Sequence, residues 1–164
     1  MNNKVVLAFS GGLDTSFCVP YLKEKGYEVH TVMVNTGGFS AEEENAIEAR
    51  ALALGAASHK NVNAVETYYE KGIKYLIYGN ILKNATYPLS VSSERVFQAL
   101  EVLKHVKEIG AGAVAHGSTG AGNDQVRFDI VFEILAPEVQ IIAPVRDEGF
   151  TRQFEIDFLQ NHGF

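Results

Sequence analysis

The stretch Ser10-Gly11-Gly12-Leu13-Asp14-Thr15-Ser16 constrains the fold most. It follows an apolar run, Lys4-Val5-Val6-Leu7-Ala8-Phe9, and leads into apolar residues at helical spacing up to Lys25. It reads as a strand, a glycine turn and a helix. Two adjacent glycines let the backbone turn sharply and come close to a ligand. Ser10, Asp14, Thr15 and Ser16 set hydroxyls and a carboxylate at the helix start. Unpaired N–H groups and the positive end of the helix dipole favour an anion there, by up to about 2 kcal/mol in a partly buried geometry. An ordinary tight turn before a capped helix has the same spacing, so the motif alone leaves a phosphate site and a plain turn equally open.

The alternation continues along the chain. A second strand over 28–34 ends in the loop Asn35-Thr36-Gly37-Gly38, and Ser40 with Glu43 makes a capping box for a helix over 41–54 that Gly55 closes. A third strand spans 57–62, and Asn63 with Glu66 reads as a capping signature for a helix over 64–78. Such an order predicts an α/β fold: a doubly wound, mostly parallel five-stranded sheet with helices on both faces, binding ligands beyond the carboxyl ends of its strands. Tyr68, Tyr69, Tyr75 and Tyr78 recur at helical spacing and are assigned to core or interface packing rather than to base stacking. Residues 79–92 read as a long connection, after which Ser92 or Ser93 caps a helix to about residue 109 and Arg95 is a solvated first-turn residue. The sequon Asn84-Ala85-Thr86 in that connection is read as chance.

A fourth strand, Ala113-Val114-Ala115-His116, opens into Gly117-Ser118-Thr119-Gly120-Ala121-Gly122-Asn123-Asp124-Gln125-Val126-Arg127. The loop lacks the Gly-Lys-Ser/Thr of a Walker A motif and the glycine spacing of a dinucleotide fingerprint. Asn123 and Arg127, four apart, share one helix face with Asp124 beside them. Gly117, Gly120 and Gly122 cost backbone entropy that a ligand lying against the loop explains. The helix to residue 135 is apolar on more than one side and is expected to be largely buried. A fifth strand covers 139–142, and Thr151 caps a last helix whose Phe154, Phe158 and Leu159 need a partner.

Length and composition bound the function. The 164 residues make one domain. A net charge of -6 without a Lys/Arg block argues against nucleic-acid binding as the main task. One cysteine, Cys18, allows no disulfide, thiolate zinc site or redox pair within the chain and reads as a small buried side chain. No segment has the pattern of a signal peptide or membrane span, so a cytoplasmic location is expected. The five histidines show no metal spacing, so no metal site built from protein side chains is expected, and His116 at a strand end reads as structural.

Residues 10–16 resemble the pyrophosphatase loop of the ATP-pyrophosphatase (PP-loop) enzymes. Together with the stretch from His116 to Phe128 they resemble argininosuccinate synthase, over the nucleotide-binding domain of that family. The resemblance implies that Ala8, Phe9, Ser10, Gly11, Gly12, Leu13, Asp14, Thr15 and Ser16 hold ATP, with Val34 at the adenosine and Gly117 also against the nucleotide. It implies citrulline at Tyr87, Ser92, Asn123 and Arg127, and aspartate at Thr119, Asn123 and Asp124. Arg95 is implied as a partner for a substrate carboxylate. The resemblance further implies Asp14 and Asp124 as candidate carboxylates at the reacting groups, a reaction without a protein nucleophile, and Mg2+ accompanying ATP. The family's synthetase domain lies outside these residues, and full-length members are expected to be homotetramers. Ala121 stands where the family usually has lysine, and the stretch around Tyr87-Pro88-Leu89 departs from the commoner form. The alternatives are another PP-loop ATP pyrophosphatase, such as an amide-forming synthetase, and a non-catalytic nucleotide-binding module.

Overall fold

A computed structural model describes residues 2–80, 82–83 and 85–164, so Asn84 of the sequon lies outside the described residues. Its centre is β1 (Lys4–Ala8), whose Val5, Val6 and Leu7 are all fully buried. A strand buried on both faces needs helices on both sides. Val5 and Leu7 pack with Phe17, Leu22, Ile47 and Ala51, from α1 (Leu13–Glu24) and α2 (Ala41–Ala53). Val6 faces the other way, toward Val102, Val106, Phe128 and Phe132, from α5 (Ser90–Ile109) and α6 (Asp124–Leu135).

Beside β1 lie β2 (Glu28–Asn35) and β6 (Ala113–His116), flanked by β3 (Ser58–Asn63) and β7 (Gln140–Ile142). The order is β3-β2-β1-β6-β7, and every pairing is parallel. The sheet is therefore wholly parallel, a stricter case of the expected architecture. The chain runs outward from β1 to β3 and then crosses back to β6 on the far side of β1. This reversal opens a crevice between the carboxyl ends of β1 and β6, where doubly wound sheets bind ligands.

Local sequence accounts for the ends of these elements. The Ser40–Glu43 capping box forms in full: Ser40 Oγ accepts from the Glu43 N–H, and Glu43 Oε2 accepts from the Ser40 N–H at 2.8 Å. After the short α7 (Pro144–Asp147), Thr151 caps α8 (Arg152–Asn161) by accepting from Phe154 N–H. The partner that the face of α8 requires is α1: Phe17 meets Phe158 edge-on at 5.0 Å and Phe150 at 5.3 Å. Pro20 lies well inside α1 and does not end it.

Several expectations need correction. Asn63 with Glu66 makes no capping box: Asn63 Oδ1 accepts from Val65 N–H, and Ala64 is the cap residue. The helix that follows runs as α3 (Val65–Tyr68), a π-helical stretch (Tyr69–Ile73) and α4 (Lys74–Tyr78). The ring of Phe97 stands 3.0 Å from where a Cβ on Gly72 would lie, so helix α5 presses against this widened turn. Tyr68 packs in the core, while Tyr69, Tyr75 and Tyr78 are exposed, which leaves the core-or-interface expectation for the four tyrosines standing.

The connection over 79–92 is shorter than expected. It holds the small hairpin β4 (Leu82–Lys83) and β5 (Tyr87–Pro88), and α5 already begins at Ser90. Neither Ser92 nor Ser93 is a cap, since both lie inside α5, where Ser93 Oγ donates back to the Ser90 carbonyl at 3.2 Å. Finally, α6 buries only one side: Phe128, Val131 and Phe132 are buried, whereas Val126, Ile130 and Ile134 are exposed.

Candidate functional site

The crevice holds a cavity of about 830 Å³, within the size range of small-molecule sites. The phosphate-type loop forms one wall. Gly11 has φ +75, a conformation suited to glycine, and a Cβ there would stand 3.1 Å from Ile47 Cγ1. Arg50, also on α2, donates to the Gly11 carbonyl and braces the loop from behind. Gly12 is the cap residue of α1 and offers no side chain to its first turn. Hydroxyls line the opening instead: Ser10 Oγ and Thr15 Oγ1 are 3.3 Å apart, and Ser10 Oγ accepts from Gly12 N–H at 3.4 Å.

The second glycine loop closes directly onto the first. A Cβ on Gly117 would lie 3.1 Å from both the Asp14 carbonyl carbon and the Thr15 nitrogen. A side chain there would crowd these main-chain atoms more tightly than nearly all real Cβ contacts. His116, 1% exposed, holds the loop in place. Its Nδ1 accepts from Ser118 N–H at 3.3 Å, which makes Nε2 the donor to Asp129 Oδ1 at 2.9 Å. Burial pushes its pKa down against the opposing pull of Asp129, so the ring stays neutral at pH 7 and keeps the lone pair that accepts. Arg146 ties Asp129 from its other side.

The far rim carries charge. Arg127 Nη1 donates to Asp124 Oδ1 at 2.6 Å, and Arg95 Nε donates to Asp124 Oδ2 at 3.1 Å. Arg127 Nη2 also donates to Ser92 Oγ at 3.1 Å, and Arg95 pairs with Glu94 at 3.2 Å. One carboxylate thus bridges two guanidinium groups at the edge of the cavity. Arg95, read from sequence as a solvated residue, is an ion-paired part of this wall with its side chain about one-third exposed. Among the described residues no group of three or more His, Cys, Asp or Glu side chains could hold a metal ion.

The structure brings most of the sequence-derived residues together. Ala8, Phe9, Ser10, Gly12, Leu13, Asp14 and Thr15 line the cavity, as do Val34, His116, Gly117, Thr119, Asp124 and Arg95. Gly11 and Ser16 stand behind the loop, where Ser16 Oγ donates to the Gly11 carbonyl at 3.5 Å. Arg127 joins the rim through Asp124 and Ser92 through Arg127, and Asn123 precedes α6 without a side-chain cap bond. Tyr87 lies apart, exposed on the small hairpin and outside the lining. Cys18 is fully buried, with its thiol pKa raised by burial first and then by Glu155 and Asp14, as an inert core residue requires.

Sequence reading missed Glu94, Gln98 and Arg152, which also line the cavity, and Arg50 beneath the loop. Glu94 and Gln98 are four apart on the face of α5 that carries Arg95, a signal available once the helix start is placed correctly. Arg152 comes from the distant α8 and leaves no local trace.

Comparison with known proteins follows the same outline. Residues 4–164 match the family described as "Arginosuccinate synthase N-terminal HUP domain". The chain is 47% identical to argininosuccinate synthase of Xanthomonas campestris pv. campestris, over 98% of this chain and 41% of that protein. It is 46% identical to argininosuccinate synthase of Xylella fastidiosa, over 99% of this chain and 41% of that protein. The chain thus spans about two fifths of the length of these curated relatives. A crystal structure described as a predicted subunit of tRNA methyltransferase from Methanocaldococcus jannaschii shares the fold, with TM-score 0.58 at 22% identity over 96% of this chain and 74% of that one.

Proposed function

The chain belongs to the argininosuccinate synthase family, matching its N-terminal domain, and from that premise we propose that it is the nucleotide-binding part of an ATP-dependent ligase joining citrulline to aspartate. The observation that carries this reading is the contact of the two glycine loops at Gly117, which makes one cradle of two separate motifs. Residues 8–16 hold the triphosphate through main-chain N–H groups and the Ser10 and Thr15 hydroxyls, with Gly117 closing over it and Val34 meeting the adenosine. Ser92, Asn123 and Arg127 take citrulline, with Tyr87 contributing only if the hairpin folds inward. Thr119, Asn123 and Asp124 take aspartate, and Arg95 faces a substrate carboxylate.

The chemistry fits what such a site supplies. The ureido oxygen of citrulline attacks the α-phosphate, forming citrullyl-AMP and releasing pyrophosphate; the amino group of aspartate then displaces AMP. In-line attack needs positioning and stabilisation of negative charge, which preorganised backbone donors provide without a protein nucleophile. Magnesium would accompany ATP and, when bound, would supply neutralisation of phosphate charge. The loop has no lysine at Ala121, and among the described residues the cations lining the cavity are Arg95 and Arg152.

The remaining three fifths of the relatives' length would complete the amino-acid pocket and assemble a homotetramer, so these residues alone should turn over very slowly or not at all. No helix among the described residues is long and apolar enough to cross a membrane, and a cytoplasmic enzyme is proposed. The test is pyrophosphate release from ATP by the protein extended to its relatives' length. Release that requires citrulline, followed by AMP release that requires aspartate, is the expected result. Release driven by a different carbonyl substrate would make it another ATP pyrophosphatase. Nucleotide binding indifferent to both amino acids would make it a binding module.

A further inference from the structure

Glu155 sits in the first turn of α8, only 2% exposed, where that helix packs on α1. Its Oε2 is buried with no hydrogen-bond donor facing it among the described residues. Three ionisable groups surround it. Asp14, in the first turn of α1, is within hydrogen-bonding reach; Cys18 lies one turn further along α1; Arg152 is on its own helix. Asp14 also lines the cavity, so Glu155 is the layer directly behind the phosphate loop. Nothing in the packing of α8 on α1 requires a carboxyl group here, since the neighbouring contacts are aromatic.

Two ionised carboxylates are both acceptors, so the contact between Asp14 and Glu155 forms only with a proton between them. Building on the nucleotide reading above, we propose that Glu155 is a positioning residue for the phosphate loop: its carboxyl shares a proton with Asp14, and that bond fixes the first turn of α1 so that the loop N–H groups converge on the phosphates. The Glu155 pKa is pushed up to about 7, by burial first and then by the Asp14 charge and hydrogen bond, with Arg152 pulling the other way. Glu155 is therefore protonated below that pH and ionised above it. Ionisation breaks the shared bond and adds a negative charge behind a loop that must receive an anion. Nucleotide affinity should fall as pH rises through about 7.

The terminal phosphate of ATP ionises over the same range, so the measurement is a comparison of variants. Wild type, Glu155→Gln and Glu155→Leu are titrated calorimetrically with ATP and Mg2+ from mildly acidic to mildly alkaline pH. The glutamine amide keeps a neutral donor toward Asp14. Wild type is expected to lose roughly tenfold more affinity than Glu155→Gln across the range, as one added charge near the phosphates would cause. Glu155→Leu, with no donor, should bind more weakly than Glu155→Gln at every pH. Matching pH profiles for wild type and Glu155→Gln, both binding ATP, would overturn this role and leave the nucleotide reading standing. A wild type that binds no ATP at any pH would overturn the nucleotide reading and this role with it. Should the variants fail to fold, carbon-detected NMR of the wild-type carboxyls decides: titration of Glu155 near 7 supports the shared proton, and titration in the ordinary glutamate range refutes it.

Discussion

Replacing Gly117 with valine is expected to abolish nucleotide binding while leaving the chain folded. A Cβ alone would stand 3.1 Å from the Asp14 carbonyl carbon, the Thr15 nitrogen and Thr15 Cγ2. The first two are main-chain atoms in the opening turn of α1, which is held by the Ser16 N–H donating to the Gly12 carbonyl at 2.9 Å. They cannot yield as a flexible side-chain tip would. A branched side chain would force the two loops apart, and overpacking of this kind costs about 1–3 kcal/mol. Such a loss is tolerable for a domain whose main core lies in the sheet below. Binding suffers more, because a displacement of about 1 Å in a positioning group can cost about a hundredfold. Urea unfolding should register the modest loss of stability, and the rise in melting temperature on adding ATP and Mg2+ should vanish.

Asp124→Asn is expected to separate the two halves of the site. The Asp124 carboxylate accepts from Arg127 at 2.6 Å and from Arg95 at 3.1 Å, so its charge orients both guanidinium groups. Hydrogen bonds to charged groups contribute about 1.5–3 kcal/mol, and the partial exposure of Asp124 favours the lower part of that range. Amino-acid affinity should fall about tenfold to a hundredfold. ATP affinity should stay within about threefold, because Asp124 is absent from the phosphate loop and the loop contact at Gly117 is untouched. Loss of ATP binding in proportion would show that the far rim and the phosphate cradle are one unit.

Where function was legible in the sequence, it was legible because the chemistry lies at strand ends. Residues 8–16 and 116–127 each pair a buried strand with glycines and polar residues, and a parallel sheet necessarily carries both to one edge. What stayed hidden depends on long-range packing. The start of α5 was misread because Ser92 and Ser93 look like caps, whereas one binds Arg127 and the other bonds back within its helix and to Tyr68. Arg95 therefore looked solvated instead of ion-paired to Asp124. The apolar pattern of α6 suggested burial all round, yet Val126, Ile130 and Ile134 form an exposed stripe, since periodicity cannot say which apolar face has a partner. Arg152 and Glu155 reach the site only because Phe17 and Phe158 dock α8 against α1, a contact spanning most of the chain.

The central claim is that the two glycine loops form one nucleotide site. An amide-resolved NMR titration of the isotopically labelled chain with ATP and Mg2+ tests it most directly. The account predicts that the signals of Gly12, Asp14 and Thr15 move together with those of Gly117 and Ser118, along one binding curve. Shifts confined to one loop, or no shift in either at millimolar nucleotide, would contradict it.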